Sequence, residues 1–545
     1  MNFTKCVTKV TICFVVAGLI AGVVATSSMG AEDKYIQAAK EAGERIWPNT
    51  VLTKEQLVDE LTWFAKVSKP YRGQKIRVCY ESVPLTQWEE EKLVPIFEKI
   101  TGIKVSIEGI PGDETMRNMR MEAETKAGAY DTISIDQDMV GFFTLRGGAI
   151  DLTEFMEKHP DLISPLLDLE DFTSDMISRD PYTGHLYILA DYQKVTGTVY
   201  RKDWFTNPKY KKEFKERYGY ELKTPMEWFL TAMKTGNIRD DWTIQKSLDV
   251  AEFFTRPDEN MYGTVTGTKP GWHLAWFPND LLGRVFGLGS QAKGPPLITK
   301  PPVSRPYSFN YGALYWKGEL KGTSVKRGGR LNSERGAAMW DYLLYQLPKY
   351  SPPGTGEIDV VEAWVRFGIA GNSAFTLQHL MMVPTYLEKE SKVRGKFGVA
   401  PAPVDERYFE YRMVRGYWDA EGWAITEGSK HKEATFIFAQ FMTSKSVSVW
   451  KNLFGIMPIR YSTINSKRMM AHDEEWGGLM SLYKNRDFTD YSAGTDVMWP
   501  GFPDTNEPVS TAAAEALGKK LSPQETADLI AERLDKFLLD QGFIK

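Results

Sequence analysis

The sequence predicts an α/β protein of two lobes that share chain crossovers, with a helical extension at its N-terminus. Three observations lead there. Strand, helix, strand, helix, strand alternate at close spacing between residues 75 and 138, the pattern of βαβ units in a mostly parallel sheet. Strand character fades over a helix-rich centre and returns at 396–403 and 416–426, so late strands must rejoin an early sheet. Residues 32–70 are rich in Glu, Lys, Ala and Leu at helical spacing and read as two short helices laid on a domain.

Residues 1–31 read as a secretory signal. Lys5 and Lys9 supply a positive start, and Val10 to Ala25 is a largely apolar run, short for a membrane span. Small residues follow, and cleavage is expected after Ala31; an uncleaved N-terminal anchor is the other reading. Neither Cys6 nor Cys13 stands in a lipobox-like setting. Removing this segment takes away two lysines and no acid, moving the net charge from −4 to −6. It leaves Cys79 as the single cysteine, so no internal disulfide can form in the mature chain. A periplasmic location fits that chemistry. Thr53 with Gln56 marks a helix start, followed by the apolar stripe Leu57, Leu61, Phe64 and Ala65.

The first sheet unit opens with KIRVCYES (75–82), where Cys79 reads as a small buried hydrophobe. WEEEKLVPIFEKITG (88–102) reads as one amphipathic helix stopped by Gly102. IKVSIEGI (103–110) alternates as a strand, 113–128 is helical, and YDTISIDQD (130–138) is a third strand. GHLYILADY (184–192) reads as a short strand pair leading into TGTVYRKDWF (196–205). Pro/Gly-rich loops stand at 293–306 and 350–357. KFGVAPAP (396–403) and GYWDAEGWAIT (416–426) are strand-like, and 430–444 is a helix. The last helix, 522–541, has Ser522 as cap, Pro523 at its first position and Glu525 at the third.

Composition and motifs exclude much. The chain has 545 residues, 67 Lys+Arg against 71 Asp+Glu, and no basic excess, so it is not a general nucleic-acid binder. It has no GxxxxGK[ST] phosphate loop, no GxGxxG after a strand and no GxSxG elbow. Its six histidines are scattered, with no zinc-peptidase spacing. No cofactor and no metal site is expected, and no catalytic residue is assigned. Paired carboxylates of a carbohydrate-active enzyme remain an alternative, since such partners need only meet in space.

The order of segments resembles that of ABC-importer extracellular solute-binding proteins of family 1, the carbohydrate type. The resemblance covers about residues 72–541 and rests on IRVCYES, KLVPIFEKITGIKV, AYDTISID, GHLYILADYQKVTGTVYRKDWF, GNSAFTL, KFGVAPAP, EGWAIT with HKEATFIFAQFMTS, and the C-terminal LGKKLSPQETADLIAERLDKFL. The preface LTWFAKVSKPYRGQKI, AQFMTSKSVSVWKN with IRYSTI, RGG (327–329) and YSPP (350–353) make it most similar to long glycerol/polyol-binding receptors. The resemblance implies a two-lobed periplasmic binding protein (Venus-flytrap) fold with hinge crossovers. It implies a monomer that captures a polyol or small sugar and presents it to the transmembrane subunits of an ABC permease. Oligosaccharide, phosphorylated-polyol and sensory receptors are the alternatives within the fold. The expected division is a signal at 1–31, a helical extension at 32–71, a first lobe from 72–190 and 400–445, and a second, helix-rich lobe from 191–399 and 446–545.

Hydroxyl-rich ligands call for carboxylates that accept two O–H groups and for flat rings that cover C–H faces. In open α/β lobes these sit at the carboxyl ends of strands. That rule selects Glu81, and Asp136 with Asp138, one of which could instead cap the following helix. It selects Asp191 and Tyr192 at the first crossover, where Asp191 has a hinge hydrogen bond as its other role. Tyr417, Trp418 and Asp419 put rings beside a carboxylate. Trp272 and Trp276, four apart, and Trp499 complete the candidate binding set, with core packing as the competing role for each. Trp423 is expected in the core.

Overall fold

A computed structural model describes residues 33–173, 178–179, 183–271, 274–275, 277–278, 311–316, 319–407, 416–485, 492–493 and 499–545. The expected signal at 1–31 and the loop at 293–306 lie outside the described residues.

The extension is two helices, α1 (Asp33–Ile46) and α2 (Lys54–Val67). Thr53 and Gln56 close the capping box that the sequence announced. Leu57, Leu61, Phe64 and Ala65 are buried and join one core with Ile76, Val78 and Tyr80 of β1 (Lys75–Glu81). The other face of that strand points Cys79 into a second cluster with Ile133, Ile135, Phe142 and Phe143. Successive side chains thus face opposite layers, and this sheet is covered on both sides.

The stretch 88–102 is not one helix. It forms α3 (Pro84–Lys92) and α4 (Val94–Thr101), broken at Leu93. Pro95 is the cause: it cannot donate to the turn before it, so it is tolerated only in the first turn of a new helix. Gly102 then ends α4 in the left-handed region at φ 75°. The strand that follows, β2 (Lys104–Ile110), lies at the sheet edge, and its exposure does not alternate cleanly. The helix α5 (Gly112–Thr125) returns the chain to β3 (Thr132–Asp136), and both β2 and β3 run parallel to β1.

Of the expected strand pair at 184–192 only the last four residues are strand, and they open one long strand, β4 (Leu189–Arg201), whose 13 residues are all buried. At about 3.3 Å per residue it spans roughly 43 Å. Three further strands belong to the helix-rich part, β5 (Tyr262–Thr264) in the main sheet and the separate hairpin β6 (Leu314–Trp316) with β7 (Glu319–Gly322). β8 (Ser373–His379), β9 (Phe397–Pro401), β10 (Gly416–Ile425) and the two-residue β11 (Ser492–Ala493) complete the set.

The main sheet has the order β2-β1-β3-β10-β4-β8-β5, with β9 also on β4 and β11 on β10. β10 is antiparallel to both β3 and β4. The first half of β4 pairs with β10, and the second half, from Thr196, pairs with β8 and β9. One strand therefore belongs to the sheets of both lobes. The second lobe packs its largest core around Phe205, Trp242, Phe254, Trp340, Phe375 and the C-terminal helices. The helix Lys445–Gly455 bridges cores, sending Val447 to the first-lobe cluster and Val449 to another. Ser522 caps the last helix, Pro523–Asp540, through the predicted box with Glu525.

Candidate functional site

Three strands end or pass at the carboxyl edge of the first-lobe sheet, and each delivers an acid. Glu81 is the last residue of β1, Asp136 the last of β3, and Glu421 lies on β10 directly opposite both Asp136 and Tyr192 of β4. One oxygen from each of the three carboxylates lies within 4.8 Å of the others. Lys194 of β4 reaches into this group, with Nζ 2.5 Å from Asp136 Oδ1 and 3.1 Å from Glu421 Oε2. Ser134 donates to Glu421 Oε1 at 3.0 Å.

The electrostatics follow from this layout. Burial by itself pushes the Glu421 carboxyl up. The Lys194 ammonium, with hydrogen bonds to Tyr192, Lys194 and Asp136, outweighs it and leaves the carboxyl below its ordinary value. Glu421 is therefore ionised at neutral pH. Tyr192 is driven the other way, well above the usual phenol, first by burial and then by the charges of Glu421, Asp136 and Glu81. Its neutral hydroxyl stands against the Glu421 carboxylate. Farther along β4, Gln193 Nε2 and Thr196 Oγ1 are buried without a hydrogen-bond partner. Such orphaned polar atoms are rare in interiors and mark where water or ligand completes the set.

The same group has the donor types of a cation site, but the Lys194 ammonium already lies against two of its carboxylates. A second triad, Asp151, Glu154 and His185, is a helix cap with an attached histidine. Asp151 accepts from the Glu154 amide, and His185 Nδ1 lies 2.5 Å from Asp151 Oδ2.

The sequence-selected residues fall in three places. Asp136 and Tyr192 lie in the cluster. Asp138 is in the first turn of the helix Gln137–Leu145, next to it in the chain. Tyr417, Trp418 and Asp419 lie on β10, with Trp418 in register with Val195 and Asp419 with Lys194.

Asp191 faces a different environment. It is fully buried in an ion group with Lys451, 2.5 Å away, and Glu89, which is 3.2 Å from Lys451. Trp499 is also fully enclosed, its ring centroid 5.9 Å from that of Tyr311. Trp272 and Trp276 lie outside the described residues. Trp423 packs on Phe438 in the first-lobe core, as expected.

Sequence reasoning missed Lys194 and Glu421. Each carried a signal. Lys194 is a lysine inside an otherwise buried strand, and Glu421 is an acid between the small residues Ala420 and Gly422 of another.

Residues 84–287 match the family model for bacterial extracellular solute-binding proteins. An ABC-transporter solute-binding protein of Agrobacterium radiobacter K84, solved with ribitol, is 19% identical at a TM-score of 0.60, covering 86% of this chain and 100% of that one. The fold is the two-lobed periplasmic binding protein fold. Maltose-bound MalE3 of T. maritima matches at 17% identity and TM-score 0.59, over 86% of this chain and 100% of its own. A D-mannitol complex from Agrobacterium vitis S4 matches at 16% and 0.58, over 86% and 99%.

Proposed function

We propose that this chain is the exported solute-binding subunit of an ABC importer. It captures a glycerol-like polyol or small carbohydrate between its lobes and hands it to the transmembrane permease subunits. The observation that carries the reading is the Glu81–Asp136–Glu421 cluster around Lys194, at the strand ends where both lobes share β4. Ionised carboxylates accept pairs of ligand hydroxyls in short, charge-assisted bonds. The neutral Tyr192 phenol can donate or accept one more.

Asp138, Tyr417, Trp418 and Asp419, neighbours of this cluster along the chain or in register with it, would extend it. Trp272, Trp276 and Trp499 would belong to the second lobe, and Asp191 to the crossover itself. The lobes would comprise 72–190 with 400–445, and 191–399 with 446–545. The match over 84–287 and the likeness to structures holding ribitol, mannitol and tagatose support the same class of cargo. The role is binding without turnover.

A thermal-shift and calorimetry panel tests it, with glycerol, longer polyols, mono- and oligosaccharides and polyol phosphates against the mature chain. A ligand selective for the folded state raises the melting temperature by mass action. The reading expects a shift with one hydroxyl-rich class and recovery of the compound unchanged. No shift across the panel, or consumption of a compound, overturns it.

A further inference from the structure

Away from the strand crossovers, two helices of different cores meet. The helix Gln137–Leu145 buries Phe142 in the small cluster behind β1 and β3. The helix Phe502–Lys519 buries Val509 and Ala513 in the large core of the second lobe. Asp504, in the first turn of that second helix, lies 2.6 Å from Arg146, just past the end of the first, and 3.0 Å from Arg120 of α5. The Asp504 side chain is 8% exposed, so this carboxylate is gripped largely out of water. Arg146 also stands against a ring from each side. Its guanidinium carbon is 3.8 Å from the Phe142 centroid and 5.6 Å from that of Phe543, which packs on the large core. The backbones approach closely as well, because a Cβ at Gly501 would lie 2.6 Å from Phe142 Cβ. A charge-assisted pair shielded in this way outweighs one left in open solvent.

We propose that Arg120 and Arg146 grip Asp504 as a latch that holds the two lobes in the arrangement seen here, making Asp504 a positioning residue for ligand affinity. The ligand arm of this proposal rests on the receptor reading above. The helix that the latch engages begins at the residue after Asp136, a carboxylate of the candidate site. Whatever ties that helix to the second lobe also fixes the Asp136 side of the site relative to it. A protein that binds in one arrangement of its lobes has an apparent affinity scaled by the population of that arrangement. Releasing the latch lowers that population and weakens binding without removing a ligand contact. Salt screens the ion pairs, so affinity for an uncharged ligand acquires a salt dependence that passes through Asp504.

The test compares Asp504→Asn, Arg146→Gln and their combination with the unaltered mature chain. Small-angle X-ray scattering without ligand reads the arrangement of the lobes. Calorimetry at low and high salt reads affinity for ribitol, D-mannitol and maltose, three uncharged probes held by the similar structures. Each variant should show a larger radius of gyration and bind its probe about ten-fold less tightly. The combination should lose no more than either change alone, since both break one contact. Added salt should weaken binding by the unaltered chain and leave the variants unmoved. Unchanged scattering together with unchanged or tighter probe binding overturns the latch and leaves the receptor reading standing. Larger dimensions in the variants, with no probe bound by any chain, support the latch and count against the receptor reading. Should neither variant fold, the salt series on the unaltered chain decides, and salt-independent binding of a probe overturns the latch.

Discussion

Lys451 Nζ lies 2.5 Å from Asp191 Oδ1, with both side chains 1% exposed, and this contact ties the start of the lobe-crossing strand to the helix Lys445–Gly455. The ammonium also donates to the carbonyls of Asp191 and Met442, each at 3.1 Å. Burial works against its charge, but Asp191 and Glu89 outweigh it and hold the pKa above the ordinary lysine value. Replacing the cation strands the Asp191 carboxylate in the interior beside Glu89. Lys451→Met should therefore lower stability by about 3–5 kcal/mol. Urea unfolding of the variant beside the unaltered chain measures this, and a midpoint within error of the parent would refute the ion group's structural role.

The third member gives a pH signature. Burial, then the charge of Asp191, pushes Glu89 well above its ordinary value of 4.5, against the pull of Lys451. The folded chain thus keeps a proton that the unfolded chain releases above about pH 4.3. The folded state binds more protons in that window, so this group's contribution to stability falls as pH rises from there toward the folded-state value. Glu89→Gln, which holds the neutral form, should flatten that decline. Urea midpoints from pH 5 to 8 test it, and identical slopes for the two proteins would contradict the assignment.

Asp136 should matter for ligand more than for folding, because it is half-buried at a strand end. Asp136→Asn removes a charged acceptor and one contact of Lys194. Affinity for the ligand found by the panel should fall about ten- to hundred-fold, in line with the loss of a hydrogen bond to a charged group. Calorimetry reads this directly, and unchanged affinity would move the site elsewhere.

Gly422 sits where the register of β10 against β4 shifts, and a Cβ there would lie 2.3 Å from the Leu189 carbonyl oxygen. The opposing atom is backbone and cannot swing aside. Gly422→Ala should cost about 1–3 kcal/mol and weaken ligand binding through its neighbour Glu421. Preserved stability together with preserved affinity would show that the two strands can part there freely.

Cys79 is a chemical reporter of the first lobe. It is fully buried, and burial pushes its thiol up to about 12. The native chain should leave Cys79 unmodified by a thiol reagent at pH 8 until denaturant opens the lobe. Fast labelling without denaturant would mean that the sheet opens locally.

Local signals in the sequence located most elements. Thr53 and Ser522 cap where expected, Gly102 stops its helix, and the runs at 75–82 and 130–138 hold the strands Lys75–Glu81 and Thr132–Asp136. The break at Leu93 was missed because the apolar stripe on either side of Pro95 keeps its period while the backbone does not. The length of β4 was missed because its polar residues, Gln193, Lys194 and Thr196, mimic a turn between two strands. The candidate site was half legible. Asp136 follows from the strand-end rule and Tyr192 from its place at the expected crossover. Glu421 meets them only through long-range register, which fixes Glu421 against Asp136 and Tyr192 and is written nowhere near any of the three.

The uninterrupted run of β4 through both sheets has a mechanical consequence. A flexible loop between lobes acts as a free pivot. A ribbon bonded along each half to different neighbours acts as a torsion bar, returning elastic torque as it is wound. A lobe movement would then be taken up as twist spread over the residues around Val195 and Thr196, where β4 changes partners. Any rotation of one half against the other would meet a spring constant set by this ribbon.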